Sequence, residues 1–495
     1  MGKDLIKVIT DPKVPLKELW TADDSELNAE NASLVSSSTV RSAESMIGSD
    51  EPYIKINTIP ISGLEEMILD ETGSIPRIKV IFTDESGGLS GPNYPKNDPI
   101  LSLYIKTQNP NLKPIRCDFL ITSIKTNQDA VLDRDNIDRG STFIMSGELF
   151  IPKIYDNVSK SYASLNSKDA LKAIADEVGL GFADNEANLN DKMTWLNTNT
   201  SSLNFINHVT KHSYMDEDSF FTSFIDKYYH LTFVNVAEQL NPTHEIQYTY
   251  NNTVDGSAFE ATQNLKDLKN DEQDEVLKLI GLTNLDGQRG QTDFIINYSL
   301  MGDTGRILKN KGFKKKIYYY DHSLDSDKMV SFFVNPVEIK GYKNDNKGLV
   351  PEDETLKESI VKKWMNIDYG NAHDQYNAAV LINDHNNSEL NKVKLKVETA
   401  GINFQISRGS GIPIMIYTTG PQNMKKNFRR KDKNKDGFAD TEIDNESVIP
   451  DDILTGRYYV SGIKYIYDKY NESFPYITQF QLARVNWVSE NNLFE

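Results

Sequence analysis

The spacing of apolar residues changes twice along this chain. It runs at two residues through most of positions 53–147, shifts to a helical spacing over Ser167–Gly179, and returns to two from Tyr229. A strand buries every second side chain and a helix every third or fourth. Such a switch requires a β framework with a helical module set into it. The β runs are short and rich in β-branched and aromatic residues: Tyr53–Thr58, Arg77–Phe82, Leu101–Lys106, Cys117–Ile124 and Thr142–Gly147. Gly, Pro and Asn clusters separate them, the pattern of an antiparallel barrel or sandwich.

Within the module, Ser167 is placed to cap a helix whose inner face is Leu171, Ile174, Ala175 and Val178, and Gly179 stands where a left-handed residue ends it. Trp195-Leu196 leads to a second helix from about Ser202, with Phe205, Ile206 and Val209 inward. Phe220, Phe221, Phe224 and Ile225 read as a third short helix, and Tyr229, Leu231 and Phe233 as a strand. Past a polar stretch at 250–290, read as a helix with long loops, Phe294–Ile296 and Lys316–Tyr320 are strand candidates. Val393, Leu395 and Val397 alternate with lysines, so one face is buried and one solvated. Phe404 and Ile406 lead into a turn at Arg408–Gly411; Ile412, Ile414 and Ile416 return from it, and a hairpin pairs Tyr458–Tyr467 with Ile477–Trp487.

A chain of 495 residues exceeds one core, so several domains are expected. The division reads as an extended N-terminal arm (1–51), a first β-barrel domain (52–164), the inserted α/β module (165–240), a connecting and return segment (241–329), and a second β-barrel domain (330–495) with a charged insert at 420–450. The arm is acidic and Ser-rich with few aromatics from residue 20 to 52, and is expected to order only against a partner.

The 54 basic and 72 acidic residues leave a formal charge of −18. That charge disfavours tight nucleic-acid binding, which needs clustered Lys and Arg. Acidity also serves solubility. Cys117 is the only cysteine, so no intramolecular disulfide forms. Met1–Ile6 opens without an apolar signal core, and no run is apolar for long enough to make a membrane helix; no membrane association is expected.

Phosphate-loop, dinucleotide and nucleophile-elbow motifs are absent. His208 and His212 have metal-ligand spacing, but no glutamate accompanies them and Lys211 would repel a cation, so they read as a helix surface pair. One segment, Asp432–Asp440, matches the first nine positions of a calcium loop. Asp432, Asn434 and Asp436 would supply side-chain oxygens, Gly437 the sharp turn, Phe438 its carbonyl, and Asp440 a direct or water-mediated contact. The twelfth position is Ile443, where a bidentate acid is expected, and Glu442 and Asp444 flank it. Calcium is therefore an optional ligand in this reading, and an exposed Asn/Asp/Gly turn is the alternative.

Met193–Leu196 followed by Leu203–Val209 and Ser213-Tyr214, with the upstream helix Ala170–Leu180, resembles the central baseplate hub of contractile-tailed bacteriophages. Its relatives are the phage late-control protein D and the hub part of type VI secretion spike proteins. Asn377–Asn383, Glu389-Leu390, Gly401–Phe404, Arg408-Gly409, Tyr459–Ile463 and Gln481–Arg484 extend the resemblance, which covers about 165–240 and 370–487. It implies two barrel-like domains of the tail-hub type, a homotrimer of pseudo-sixfold symmetry, and a non-enzymatic structural role in the virion, assembled in the host cytoplasm. It also implies three kinds of partner: a central spike, a tail tube or tube initiator, and other baseplate proteins. DNA would pass through the axial channel without specific binding, and part of the negative charge would line its wall. The Ser-rich arm and the 420–450 insert depart from the family pattern. Two other readings are a β-rich adhesin or carbohydrate-binding tail module, which does not need the helical insert, and a tail-associated cell-wall hydrolase, which needs an acid pair or zinc site that the sequence does not display.

Overall fold

The computed structural model describes residues 6–13, 51–240 (without 58, 85–86, 90, 106–114, 128–140 and 186–187), 246–249, 259–261, 295–302, 314–321, 328–334, 358–362, 372–414 (without 403–405), 454 and 456–485 (without 472). The first strands are β1 (Lys7–Thr10), β2 (Tyr53–Ile56), β3 (Ile59–Pro60), β4 (Leu64–Asp70), β5 (Arg77–Asp84), β6 (Ile100–Ile105), β7 (Ile115–Asn127), β8 (Ser141–Leu149) and β9 (Asn157–Leu165). The module follows as α1 (Ser167–Val178), β10 (Gly181–Asp184), β11 (Met193–Ser201), α2 (Ser202–Lys211), β12 (Phe221–Ile225), β13 (His230–Asn235) and α3 (Val236–Leu240). Then come β14 (Ile246–Thr249), β15 (Phe259–Ala261), β16 (Ile295–Gly302), β17 (Lys314–Asp321), β18 (Lys328–Val334) and β19 (Glu358–Lys362). Last are α4 (Tyr376–Leu390), β20 (Val393–Ala400), β21 (Gly411–Ile414), β22 (Gly456–Asp468) and β23 (Tyr476–Arg484).

The chain is mainly β with an inserted α/β module. Among the described residues a twelve-stranded sheet runs β16-β20-β23-β22-β4-β5-β8-β7-β6-β2-β3, with β21 on β22. Alternation builds it: Ile78, Val80 and Phe82 of β5 are buried while Lys79 and Ile81 are half-buried. The N-terminal and C-terminal β regions meet along β4 and β22, where Asp70 lies opposite Lys464 and their side chains are 2.7 Å apart. Barrel closure is not seen among the described strands; the sheet has two ends, β3 and β16.

The module has its own sheet, β1-β10-β13-β12, with β10 and β13 parallel, and a β9–β11 ribbon beside it. Asn166, not Ser167, caps α1 by accepting the Asp169 N–H at 2.7 Å. Ser167 is the first helical residue, and its N–H and hydroxyl bond the buried Asp191. Gly179 closes the helix at φ 85°, as its position in the sequence requires. The α2 helix begins at Ser202 with Ser201 as cap and Phe205, Ile206 and Val209 inward.

Two expectations are corrected. Phe220–Ile225 is not a helix; Phe221–Ile225 is the strand β12. Both of its faces are covered: Phe221 and Ile225 enter the main core, while Phe220 and Phe224 enter a second cluster around Ile6 and Val234. A strand buried on both faces loses its alternation, and pairs four apart then imitate a helix. The arm also does not wait wholly for another subunit. Ile6 is buried, β1 pairs antiparallel with β10, and the Lys13 N–H donates to the Gly179 carbonyl at 2.9 Å. Gly181 permits this crossing, because a Cβ there would lie 2.6 Å from the Thr10 carbonyl oxygen. Residues 14–50 lie outside the described residues, as does the segment 250–290 apart from 259–261.

Candidate functional site

The turn Asp226–Tyr229 joins β12 to β13 and carries the module's deepest contact with the large sheet. The Asp226 carboxylate accepts the Tyr228 and His230 N–H groups at 2.9 Å each, which fixes the turn. Lys227 then enters the main core with its side chain 3% exposed. Its Nζ lies 3.3 Å from Glu71 Oε2 and donates to the Tyr465 hydroxyl at 3.0 Å; its backbone N–H donates to Glu71 Oε1 at 2.7 Å. The rings of Tyr228 and Tyr465 both lie 4.9 Å from the ammonium. Burial opposes the lysine charge, but Glu71 and the tyrosines outweigh it and hold Lys227 well above the ordinary lysine range. Burial pushes the Tyr465 hydroxyl up to about 12. Cys117 donates its thiol hydrogen to the Lys227 carbonyl at 3.1 Å, and burial raises it well above the ordinary thiol range. It is a packed thiol and not a nucleophile, because only a thiolate attacks.

A second junction holds α4 against α2. His208 and His212 are not a surface pair: their ring centroids are 4.3 Å apart and the His212 ring stacks on Tyr376 at 4.0 Å. The Tyr376 hydroxyl is 3.1 Å from His208 Nε2. His212 Nδ1 donates to the His208 carbonyl at 2.8 Å, and His373 Nε2 donates to the His212 carbonyl at 3.0 Å. The sequence placed the pair on the surface because nothing near it announced the covering helix. Farther along α4, Asn383 accepts the Phe221 N–H at 2.8 Å and donates to the carbonyls of Lys211 and Ser213 at 3.0 and 2.9 Å. Asn387 donates to the Phe221 carbonyl at 3.0 Å. Asn383 and Asn387 thus satisfy the end of α2 and guard the β12 edge.

The Ser167 hydroxyl donates to Asp191 and not to a histidine, and His373 uses Nε2 on a carbonyl. Among the described residues no group of three His, Cys, Asp or Glu side chains could hold a metal. Asp432, Asn434, Asp436, Phe438 and Asp440 lie outside the described residues. An open cleft of about 590 Å³ lies beside the second junction, lined by Leu189, Asn190, Lys192, Tyr214, His373 and Asp374 among others. Among the described residues no helix is long and apolar enough to cross a membrane.

The two ends of the large sheet differ. β3 has two residues, one of them Pro60, which has no N–H to offer. β16 has eight residues, and in its pairing with β20 Tyr298 lies opposite Val397 and Leu300 opposite Leu395. Residues opposite one another share a face, so Tyr298 and Leu300 continue the face of a buried row. Yet they remain 39% and 37% exposed, and Met301 is 58% exposed on the other face. The sequence read Phe294–Ile296 as a strand, but its edge position was not legible. Glu71, Lys227 and Tyr465 were likewise missed; the one local sign was a lysine inside an otherwise aromatic turn.

No family model matches the chain, and no curated protein sequence does. Solved structures do. The chain is similar to the 43 kDa tail protein of prophage MuSo2 from Shewanella oneidensis, at 8% identity and a TM-score of 0.47, over 89% of this chain and 99% of that one. It is similar to the tail protein from Neisseria meningitidis MC58, at 8% identity and a TM-score of 0.45, over 88% and 97%. A third similarity is to an E. coli component of the type VI secretion system, at 8% identity and a TM-score of 0.39, over 89% and 78%.

Proposed function

We propose that this chain is a structural baseplate hub of a contractile phage tail. Three copies form a ring that joins a sixfold tail tube to a threefold central spike. The sequence resemblance over 165–240 and 370–487 supplies the hub. The structural observation that carries the proposal is the contrast, among the described residues, between the two sheet ends: one blunted by Pro60, the other ending at β16 with Tyr298, Leu300 and Met301 exposed. An edge of this length and character is a liability in a free monomer and an asset in an assembly. Closed rotational symmetry gives each such edge one neighbour, so a second copy of this chain is assigned to it. The virion tail is the place of action, with assembly in the host cytoplasm. Spike, tube or tube initiator, and other baseplate proteins are the partners, and DNA passes along the axis without specific binding.

The test is the mass of the purified chain by light scattering, alone and with the spike, followed by imaging of the assembled particle. Threefold symmetry at this layer is expected. Any other symmetry, or a particle unchanged in mass and shape by Leu300→Lys, overturns the ring through β16. We also propose weak calcium binding at Asp432, Asn434, Asp436, Phe438 and Asp440. Calorimetry of the full chain and of Asp436→Ala tests it, and no calcium-dependent heat in the wild type ends the idea.

A further inference from the structure

We infer that the docking of α4 on the module is an acid-sensitive latch, with His208, His212 and His373 around Tyr376 as its protonation sites. The inference does not depend on the hub reading. It starts from a distribution: the chain has 7 histidines, and these three meet within one contact. Hydrogen bonds fix which nitrogen carries the hydrogen in two of the rings. A carbonyl can only accept, so His212 Nδ1 and His373 Nε2 each carry a hydrogen. The other nitrogens, His212 Nε2 and His373 Nδ1, lie buried. A second proton on either ring brings charge into a buried, aromatic-lined space. His208 and His212 are 4.3 Å apart, so a charge on one also opposes a charge on the other.

Among the described residues, nearby charges do not outweigh burial at His208 or His373. From α2, Lys211 adds a positive field and pairs at 3.9 Å with the exposed Asp384 of α4. Asp191 and, less strongly, Asp374 favour a charge on His373, but Asp191 already accepts from the Ser167 N–H, the Ser167 hydroxyl and the Tyr214 N–H. Asp374 adjoins His373 in sequence and is exposed; Tyr214 stacks on the His373 ring at 6.4 Å, and Lys192 lines the same cleft. α4 brings His385 and Glu389 farther along, β23 carries Arg484, and β12 carries no titratable residue. β17 and β18 also lie against α4, with Lys314–Lys316, Asp321 and Lys328 in their sequences. Burial, with Lys211 adding to it, sets His208 below the ordinary histidine range. Burial lowers His373 too, against the pull of Asp191. A group whose docked form resists a proton that its freed form accepts opposes docking once the pH falls below its free value.

Hydrogen exchange on the full chain tests this at pH 7.5 and 5.0, corrected for intrinsic rates. Exchange in α4 is expected to accelerate by about tenfold relative to β22 and β23. The acceleration should vanish in His208→Gln/His212→Gln/His373→Gln. An unchanged ratio in the wild type, or an acceleration of wild-type size in the triple variant, overturns the latch. Should the triple variant not fold, histidine NMR titration of the wild type decides. Both His208 and His373 below about 6.5 supports the latch, and either at or above that value overturns it.

Discussion

The module is fastened at two places that use opposite electrostatics. At Lys227 a full charge is carried into the core and matched by Glu71, Tyr228 and Tyr465. At His208, His212 and His373 the titratable rings pack against Tyr376, and burial sets His208 and His373 below the ordinary histidine range. A matched charge is permanent over physiological pH, because raising the lysine pKa leaves its contribution complete below the ordinary lysine value and lost only in strong alkali. A suppressed charge is conditional. The comparison separates a fixed joint from a releasable one within a single interface.

The largest effect is expected at the fixed joint. Lys227→Met strands the Glu71 carboxylate in the core and should cost about 3–5 kcal/mol in urea unfolding. Adding Glu71→Leu should recover most of that loss; a double variant as unstable as the single one would remove the distinction between matched and suppressed charge. Next is Asn383→Ala, which leaves the Phe221 N–H and two carbonyls without its side chain. It should cost about 1–3 kcal/mol by the same measurement, with α4 exchanging faster and β4–β5 unaffected. Smaller is the acid response of the wild type. The stability held by His208 and His373 is complete above about 6.5 and declines as pH falls toward their lowered values, read as a lower urea midpoint at pH 5.0 than at pH 7.5. Lys227→Met/Glu71→Leu should show the same decline, since the fixed joint does not titrate there. The smallest effect belongs to Asp70→Asn at the β4–β22 seam. Burial opposes the Asp70 charge, but the Lys464 and Thr72 hydrogen bonds prevail and hold it below the usual carboxylate value. The pair is partly exposed, so the substitution should cost about 0–1 kcal/mol, and its contribution should fade only as pH falls below about 3.8.

Sequence made the framework legible wherever one face was wet. The β5, β8 and β20 runs are read correctly because their burial alternates, and the β22–β23 hairpin is read despite a register shift between Val460 and Gly462. Legibility failed where both faces are dry. β12 imitates a helix, and α4 is buried nearly all round, with Asn377, Asn383 and Asn386 as well as Ala378, Val380 and Ile382 inside. Its amphipathic signal is therefore missing, and the sequence carries no helix reading there. The fixed joint was hidden for another reason. Glu71, Lys227 and Tyr465 are far apart in sequence, and a lone charged residue carries no mark of the partner it will meet. Of the candidate site, His208 and His212 were picked out by spacing, but their environment depended on a helix more than 160 residues away.

The β4–β22 seam bears on how the chain is made. Asp70 emerges from the ribosome long before its neighbour Lys464. Until then the β4 edge has no β22 partner, and the nascent chain needs either another cover or a chaperone. Joining such distant strands is slow, because a long loop must close before the contact rewards it. A product truncated before residue 456 keeps that edge bare and is a target for proteases and aggregation. The seam thereby works as a folding check, since a chain that lacks β22 leaves β4 without this partner.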